Sequence, residues 1–346
     1  MARITLISTG GTIASRWQGT GYAADAGGDT VLASAALPEG VEVTVVDLFN
    51  VNSSRMTTEL QLTLLRTVRE VLADPAVDGI VVTHGTDTLE ESAFLLDLHH
   101  DDPRPVVFTG AQKPLGQAEG DGPGNMYDAL QVAANVRDLG VLIAFDGKVH
   151  AARGTVKTQT LAADAFADPS AGPLGRLGFG RVDLRHKPRR PAPLPQPGAG
   201  AVISEVPRVD IVMHHSDADA TLFDAAVAAG ARGIVLVATG AGNATPELVD
   251  AVSSAVRRGV LVAVSTRVSA GPLAEIYTGG GAVDLVAAGA VLSGTLRAGQ
   301  TRIAVLAALL ADVSPAARPD LLGRLIDAPS ALPAAGTDTS GEQAAA

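Results

Sequence analysis

The sequence predicts an α/β protein: an N-terminal domain built on a doubly wound, mostly parallel sheet, followed by a second, smaller α/β domain. Three observations predict this class. Short, continuously apolar runs alternate with segments of helical period, a proline-rich stretch interrupts the alternation, and the alternation then restarts. The chain has 346 residues, more than a single hydrophobic core commonly encloses, which also favours two domains.

The strands of the first domain are predicted where apolar residues follow one another without a polar alternation, because a strand covered on both faces has no polar side. These runs lie at 4–7, 41–48, 79–83, 106–108 and 141–145. Apolar residues keep helical spacing over 60–72, after the capping candidates Thr57 and Thr58, and a second helix is predicted over 89–99. Strands that alternate with helices form right-handed βαβ units, so we expect parallel pairing.

The division into domains follows from a change in composition. Prolines are too dense in residues 186–207 for a helix or a central strand, so this stretch is interpreted as a linker after a domain at 1–185. Strands at 209–213, 233–238 and 260–264, with helices near 218–230 and 246–258, then predict the smaller domain at 208–327. Residues 328–346 lack periodicity and are predicted to be a disordered tail.

Composition excludes several classes of function. The net charge of −11 has the wrong sign for a surface that neutralises phosphates, so we expect no nucleic-acid partner. The absence of cysteine excludes thiolate nucleophiles and Cys-based metal sites. The apolar stretch after Met1 is too short for a signal peptide and no run is long enough to cross a membrane, so we expect a cytoplasmic protein without a membrane partner.

Polar residues follow two of the predicted strands at their carboxyl ends, where ligands bind in open α/β sheets. The first strand ends in Ser8-Thr-Gly-Gly-Thr12, and the third in Thr83-His-Gly-Thr-Asp-Thr88. A phosphate loop is an alternative for the first turn, although neither glycine-rich nucleotide pattern is present. A simple helix cap by Thr86 or Asp87 is an alternative for the second. If the strands are neighbours, both turns line one cleft.

These two stretches also resemble a known family. Thr9-Gly-Gly-Thr12-Ile-Ala14 and His84-Gly-Thr-Asp-Thr88 are similar to the two signature motifs of bacterial-type asparaginases and glutaminases. Further landmarks agree with that resemblance: Gly110-Ala111, Asp121-Gly-Pro-Gly-Asn125, Gly154-Thr-Val-Lys157-Thr158 and Gly240-Ala-Gly-Asn243. The resemblance extends to about residue 327 and implies hydrolysis of the side-chain amide of L-asparagine through a threonine-linked acyl-enzyme, without metal or other cofactor.

The resemblance implies a catalytic role for five residues: Thr12, Tyr22, Thr86, Asp87 and Lys157. Thr12 matches the nucleophile, whose hydroxyl needs activation at neutral pH. Tyr22 matches a tyrosine on a mobile loop between glycines; an ordinary half-buried aromatic residue is the alternative. Lys157 beside a carboxylate is favoured in its charged form, so we interpret it as a positioning and electrostatic group before a base. Asp87 should also bind the substrate α-ammonium group.

The resemblance further implies a set of substrate-binding residues: Gly11, Ser53, Ser54, Gly85, Ala111, Asn243 and Glu275. Backbone N–H groups of the Gly11-Thr12 turn, with Thr86 or its neighbours, are expected to hold the oxyanion. Ser53 is expected to bind the α-carboxylate, with helix capping as the alternative. Ser54 stands where many members have glutamine, which alters the pocket and leaves the preference between asparagine and glutamine open.

Two residues of the second domain are implied to complete the site of a neighbouring subunit, so we expect a homotetramer or homodimer. Asn243 matches the asparagine of the family; Glu275 is the candidate acid, with Tyr277 as an alternative. His214-His215 and His99-His100 do not predict a metal site, and the second pair is interpreted as surface residues. A broad glutaminase-asparaginase and a non-catalytic amino-acid sensor are the alternative functions.

Overall fold

The computed structural model describes residues 1–197 and 206–327, so part of the predicted linker and the predicted tail lie outside the described residues. The strands and helices of the first domain are β1 (Ala2–Gly10), β2 (Ser15–Trp17), β3 (Tyr22–Ala24), α1 (Gly28–Ala33), β4 (Val41–Val51), α2 (Thr58–Leu72), β5 (Gly79–Thr83), α3 (Leu89–His99), β6 (Val106–Thr109), α4 (Gly122–Asn135), β7 (Val141–Phe145), β8 (Lys148–Ala151), β9 (Val156–Lys157), β10 (Phe166–Ala167), β11 (Gly175–Gly178) and β12 (Arg181–Leu184). Those of the second domain are β13 (Val209–Met213), α5 (Thr221–Ala228), β14 (Gly233–Ala238), α6 (Pro246–Arg257), β15 (Leu261–Thr266), α7 (Ala282–Ala287), β16 (Val291–Leu292), α8 (Ala298–Leu310) and α9 (Arg318–Ile326).

The larger sheet places the first and third predicted strands side by side. Its order is β4-β1-β5-β6-β7-β8-β11-β12, and the five strands from β4 to β7 are parallel. The chain passes from β1 to β4 on one side and returns to β5 on the other, so the strand order reverses at β1. This reversal is the topological switch point at which open α/β sheets bind ligands, beyond the carboxyl ends of their strands. The remaining strands extend the sheet in antiparallel fashion.

Both faces of this sheet are covered, as the continuous apolar runs predict. One face packs against α2 and α3 through residues such as Ile80 and Phe108. The other packs against α1 and α4 through residues such as Leu6 and Val107. Burial of apolar side chains on both faces stabilises the sheet and holds the carboxyl ends of β1 and β5 in register.

The second domain is a parallel sheet of order β13-β14-β15-β16, also covered on both faces. Helix α8 lies on one face and packs against α3 of the first domain as well, so its apolar side chains join a cluster that includes both domains. Gln300 of α8 is fully buried and donates to the carbonyl oxygens of Ala152 (2.7 Å) and Thr155 (3.0 Å). It also accepts the N–H of Gly154 at 2.8 Å. The second domain thereby holds the segment that precedes β9.

The predicted fold class is confirmed: both domains are mixed α/β, and the larger sheet is mostly parallel. Helix α3 has the predicted bounds, and Thr57 caps α2 by accepting the N–H of Leu60. The prediction for His99 and His100 was wrong. Both side chains are buried, because the linker crosses the end of α3 and offers the carbonyl oxygens of Leu194 and Pro195 to His99. In the described ranges, 1–197 and 206–327, none of the helices is long and apolar enough to cross a membrane.

Candidate active site

A glycine turn after β1 brings the first motif against the second. Gly10 and Gly11 have φ of +98° and +86°, a conformation that L side chains rarely adopt. A Cβ atom at Gly11 would overlap the backbone of Gly85, so the two turns meet at van der Waals distance. The N–H of Gly11 donates to the carbonyl oxygen of Val51 at 3.1 Å. The Gly11 N–H is therefore already paired. Of the two N–H groups of the Gly11-Thr12 turn that are expected to bind an oxyanion, only that of Thr12 remains available.

Thr12 opens a short 3-10 turn, Thr12–Ala14, directly after the glycines. The N–H groups at the start of such a turn have no acceptor within it, so that of Thr12 can bind a ligand. The side chain is partly buried between Gly11 and Ile13, which are both buried. Ser15 closes the turn by donating its hydroxyl to the carbonyl oxygen of Gly11 at 2.9 Å. The turn that carries the Thr12 hydroxyl is thus closed at the switch point of the sheet.

Ser53 holds the second motif in place. Its hydroxyl accepts the N–H of Asp87 at 3.1 Å, and its carbonyl oxygen accepts the hydroxyl of Thr88 at 2.9 Å. Gly85 is required beside it, because a Cβ atom there would lie 2.6 Å from the Ser53 oxygen. The serine hydroxyl accepts in this contact, so its own proton is free to be donated. Ser53 can therefore serve the motif and a ligand carboxylate at once.

Lys157, on β9, joins the second motif with its ammonium group. Nζ lies 2.8 Å from the hydroxyl oxygen of Thr86 and 2.8 Å from a carboxylate oxygen of Asp87. The lysine side chain is 18% exposed and that of Asp87 is 62% exposed, so the pair lies at the edge of the site, with the carboxylate toward solvent. The two contacts hold the end of the lysine side chain beside Thr86 and Asp87, as a positioning role for Lys157 requires.

Two residues that contact Thr86 or Lys157 have no role in the sequence analysis. Gln112, next to Ala111, accepts the hydroxyl of Thr86 on its Oε1 atom at 3.1 Å. Glu90, in the first turn of α3, accepts the backbone N–H of Lys157. Both contacts join residues far apart in the chain, so only the position of Gln112 beside the landmark Gly110-Ala111 could have drawn attention to it.

Burial raises the pKa of Glu90 to about 7, partly offset by the N–H that it accepts from Lys157. The nearby charge of Glu91 raises the pKa of Glu90 further. The unfolded chain ionises at the ordinary value of 4.5, so the folded state binds this proton more tightly. Ionisation of Glu90 therefore costs stability as the pH rises through the interval between these two values.

We expect Glu90→Gln to stabilise the protein at pH 8 but much less at pH 5. The glutamine keeps an acceptor for the N–H of Lys157 and removes the buried charge, a difference of about 2 kcal/mol in the free energy of unfolding between the two pH values. Urea unfolding of both proteins at each pH measures it. An equal effect at both pH values would contradict the titration of Glu90, since all other groups are common to the two proteins.

His84 lies in the second motif but is not placed to act as a base. It is fully buried, and burial lowers its pKa to about 4. Its Nδ1 atom pairs with the carbonyl oxygen of Gly85 at 2.8 Å, whereas Nε2 has no partner among the described residues. The imidazole is therefore neutral at pH 7 and supports the turn.

Tyr22 lies on a separate two-stranded hairpin that follows the Thr12 turn. It pairs with Trp17 across β2 and β3, with ring centroids 5.2 Å apart in an edge-to-face arrangement. Its hydroxyl oxygen accepts a hydrogen bond from Nε2 of Gln117 at 2.7 Å, and the residue is 47% exposed. A short exposed hairpin is consistent with the mobile loop that the sequence predicts, and a role for Tyr22 in catalysis stays a prediction.

Comparison with known proteins decides the family. The family model "Asparaginase, N-terminal" matches residues 3–190, and "Glutaminase/Asparaginase C-terminal domain" matches residues 208–322. The chain belongs to the asparaginase family. Among its relatives, a probable periplasmic L-asparaginase of Haemophilus influenzae is 34% identical over 89% of each chain. A glutaminase-asparaginase of Pseudomonas fluorescens is 30% identical over 78% of this chain and 77% of its own.

A solved structure resembles this asparaginase over nearly all of both chains. It is a probable cytoplasmic L-asparaginase from Campylobacter jejuni, with 29% identity and a TM-score of 0.82. The match covers 93% of this chain and 99% of the other. The arrangement of both domains is therefore shared with that protein.

Within residues 1–197 and 206–327 of this asparaginase, the remaining predicted residues make no hydrogen bond to Thr86, Asp87 or Lys157. Ser54 is exposed, and Ala111 is buried in the same apolar cluster as Ile13. Asn243, after β14, and Glu275, in an exposed loop, make no hydrogen bond or ion pair to the first-domain motifs in the described parts of the chain. The Oδ1 atom of Asn243 is buried and, among these residues, unpaired. No cluster of three potential metal-ligating side chains occurs within residues 1–197 and 206–327.

Proposed function

We propose that this asparaginase hydrolyses the side-chain amide of L-asparagine to L-aspartate and ammonia through an ester on Thr12. The observation that carries the proposal is the contact of the two turns at the switch point, which brings the Thr12 segment against the group of Thr86, Asp87 and Lys157. The relatives named as L-asparaginases support the reaction class.

In the first half of the reaction, the Thr12 oxygen attacks the amide carbon and gives its proton up toward the leaving nitrogen. The carbon–nitrogen bond breaks and ammonia leaves. In this proposal the backbone N–H of Thr12 stabilises the oxyanion, because the N–H of Gly11 already donates to Val51. In the second half, water attacks the ester carbon, and aspartate and the free Thr12 hydroxyl result. No metal, nucleotide or organic cofactor enters these steps.

The α-groups of the substrate would be held by residues of the second motif. The exposed carboxylate of Asp87 can pair with the α-ammonium, and the free proton of Ser53 can be donated to the α-carboxylate. Gly11, Gly85 and Ala111 shape this pocket through their small size. Fixing both α-groups positions the amide carbon for attack and lowers the entropic cost of the reaction.

Hydrolysis of both asparagine and glutamine is the second candidate, favoured by the glutaminase-asparaginase relative and by Ser54, which is smaller than the glutamine common in the family. We expect ammonia release from L-asparagine to exceed that from L-glutamine. The measurement is the kcat/KM for each amide with the purified protein. Equal values would support the broad enzyme instead, and binding of asparagine without ammonia release would support the amino-acid sensor.

Two further parts of the proposal concern the assembly and its location. We propose a homotetramer or homodimer in which Asn243 and Glu275 of one subunit complete the site of another, supported by the match of Asn243 to the asparagine of the family and by the exposure of Glu275. We place the enzyme in the cytoplasm, as the Campylobacter protein is described, although the Haemophilus relative is described as periplasmic.

A further inference from the structure

We infer that Gln112 fixes the direction of the Thr86 hydroxyl proton, so that Thr86 offers the reacting groups a hydrogen-bond acceptor and not a donor. This inference rests on the proposed function and deepens it. Gln112 is a positioning residue, since it acts through Thr86. Three sets of contacts carry the argument: those of the Gln112 amide, those of the Thr86 hydroxyl, and those of the Gln112 backbone.

The orientation of the Gln112 amide is determined by its neighbours. Its Nε2 atom donates to the carbonyl oxygens of Thr160 at 3.2 Å and Ala162 at 3.1 Å. Carbonyl oxygens only accept, so the NH₂ end must face them. The Oε1 atom is then the end that lies 3.1 Å from the Thr86 oxygen. An amide held at both ends in this way cannot present its NH₂ group to Thr86.

The Thr86 hydroxyl has one proton, and the contacts leave one direction for it. An ammonium group donates three protons and accepts none, so Thr86 accepts from Lys157 at 2.8 Å. Asp87 accepts from the same Nζ atom at 2.8 Å, so the lysine faces an acceptor on both sides. The Thr86 proton is therefore donated to Gln112. Thr86 is 4% exposed, so bulk water has little access to compete for it.

The backbone of Gln112 is held as firmly as its side chain. The N–H groups of Gln112 and Lys113 donate to the two carboxylate oxygens of Asp121, at 2.8 and 2.9 Å, just before α4. Asn125 of α4 donates to one of the same oxygens at 3.3 Å. The acceptor for Thr86 is thus attached to a helix of the first domain and does not depend on the exposed 158–164 segment alone.

The remaining lone pair of Thr86 can accept a hydrogen bond from the amide NH₂ of the substrate or from the water that hydrolyses the ester. It cannot stabilise an oxyanion, which needs a donor. The sequence analysis expects Thr86 or its neighbours to share the oxyanion with the Thr12 turn, and this assignment removes the Thr86 hydroxyl from that set. Thr86 then orients the nucleophilic water or the leaving amide, while the Thr12 N–H binds the oxyanion.

The test compares two substitutions that differ in the acceptor. Gln112→Met keeps the length of the side chain but removes Oε1, and Gln112→Glu keeps an acceptor while removing the donors to Thr160 and Ala162. We expect Gln112→Met to lower kcat for L-asparagine about tenfold with KM changed less than about twofold. We expect Gln112→Glu, assayed at pH 8, to retain kcat within about threefold of the unchanged enzyme.

Gln131→Met on α4 is the matched control, because this partly buried glutamine bonds only to residues of its own helix in the described structure. Thermal unfolding of each variant reports on folding. An unchanged kcat in Gln112→Met, or equal losses in Gln112→Met and Gln112→Glu, would overturn the inference while leaving the proposed function intact. A wild-type enzyme that releases no ammonia from either amide would overturn the proposed function, and the role of Gln112 in that reaction with it.

Discussion

Replacement of Thr12 by alanine is expected to lower kcat for L-asparagine by at least about a thousandfold, since loss of a nucleophile removes the covalent pathway. The substitution leaves the backbone N–H of Thr12, and the α-group contacts that we propose for Ser53 and Asp87 do not involve this side chain. KM or the dissociation constant for asparagine should therefore change little. Steady-state ammonia release and calorimetric binding measure the two quantities separately.

Thr12→Ser is the matched variant, because it keeps the hydroxyl and removes only a methyl group. It should retain far more activity than Thr12→Ala. Trapping of a covalent aspartyl ester by rapid acid quench, in the serine variant or the unchanged enzyme, would locate the ester. Near-normal turnover in Thr12→Ala would show that another residue is the nucleophile.

Gly11→Ala is expected to destabilise the fold and the site together. The new Cβ atom would overlap the backbone of Gly85, and the φ of +86° is unfavourable for alanine. Backbone atoms cannot move aside as a flexible side chain can, so we expect a loss of about 3 kcal/mol or more in the free energy of unfolding. In any protein that does fold, the Gly11 and Gly85 turns should lie further apart, and kcat for L-asparagine should be low. Urea unfolding and ammonia release provide the two measurements.

Gly124→Ala is the control for this change. Gly124 is exposed in α4, its φ is not positive, and a Cβ atom there would meet no atom within 4 Å. Alanine at an exposed helical position should raise stability by about 0.5–1 kcal/mol and leave activity unchanged. A Gly11→Ala protein as stable and active as the Gly124→Ala protein would show that the two turns do not need their close contact.

The sequence was sufficient to predict the parts of the fold that local patterns determine. Continuous apolar runs located β1, β5 and β7, and the Thr57 cap located the start of α2. Helix α8 gave no such signal, because its residues are buried on nearly every side and its apolar positions therefore show no helical period. The antiparallel strands β8, β11 and β12 were missed as well, being short and partly polar.

The candidate site likewise contains residues that local sequence patterns predict and residues that they do not. Thr12, Thr86 and Asp87 lie in motifs at the ends of strands, so a single stretch of sequence identifies each of them. Gln112 and Glu90 contact the site through partners 26 and 67 residues away in the chain. The burial of His99 likewise depends on carbonyl oxygens 95 and 96 residues later. Such long-range contacts need coordinates, since neither composition nor spacing reports them.

The buried contacts of Gln300 make the sequence of one domain of this asparaginase depend on the sequence of the other. Its three hydrogen bonds reach from the second domain to the segment immediately before Lys157. Lys157 is encoded in the first domain, whereas the residue that holds the main chain before it is encoded in the second. Recombination at the linker would join the second domain of one protein to the first domain of another. The hydrogen bonds of Gln300 would then be lost unless both parent proteins carried the residues that make them, so we expect the two domains to be inherited together.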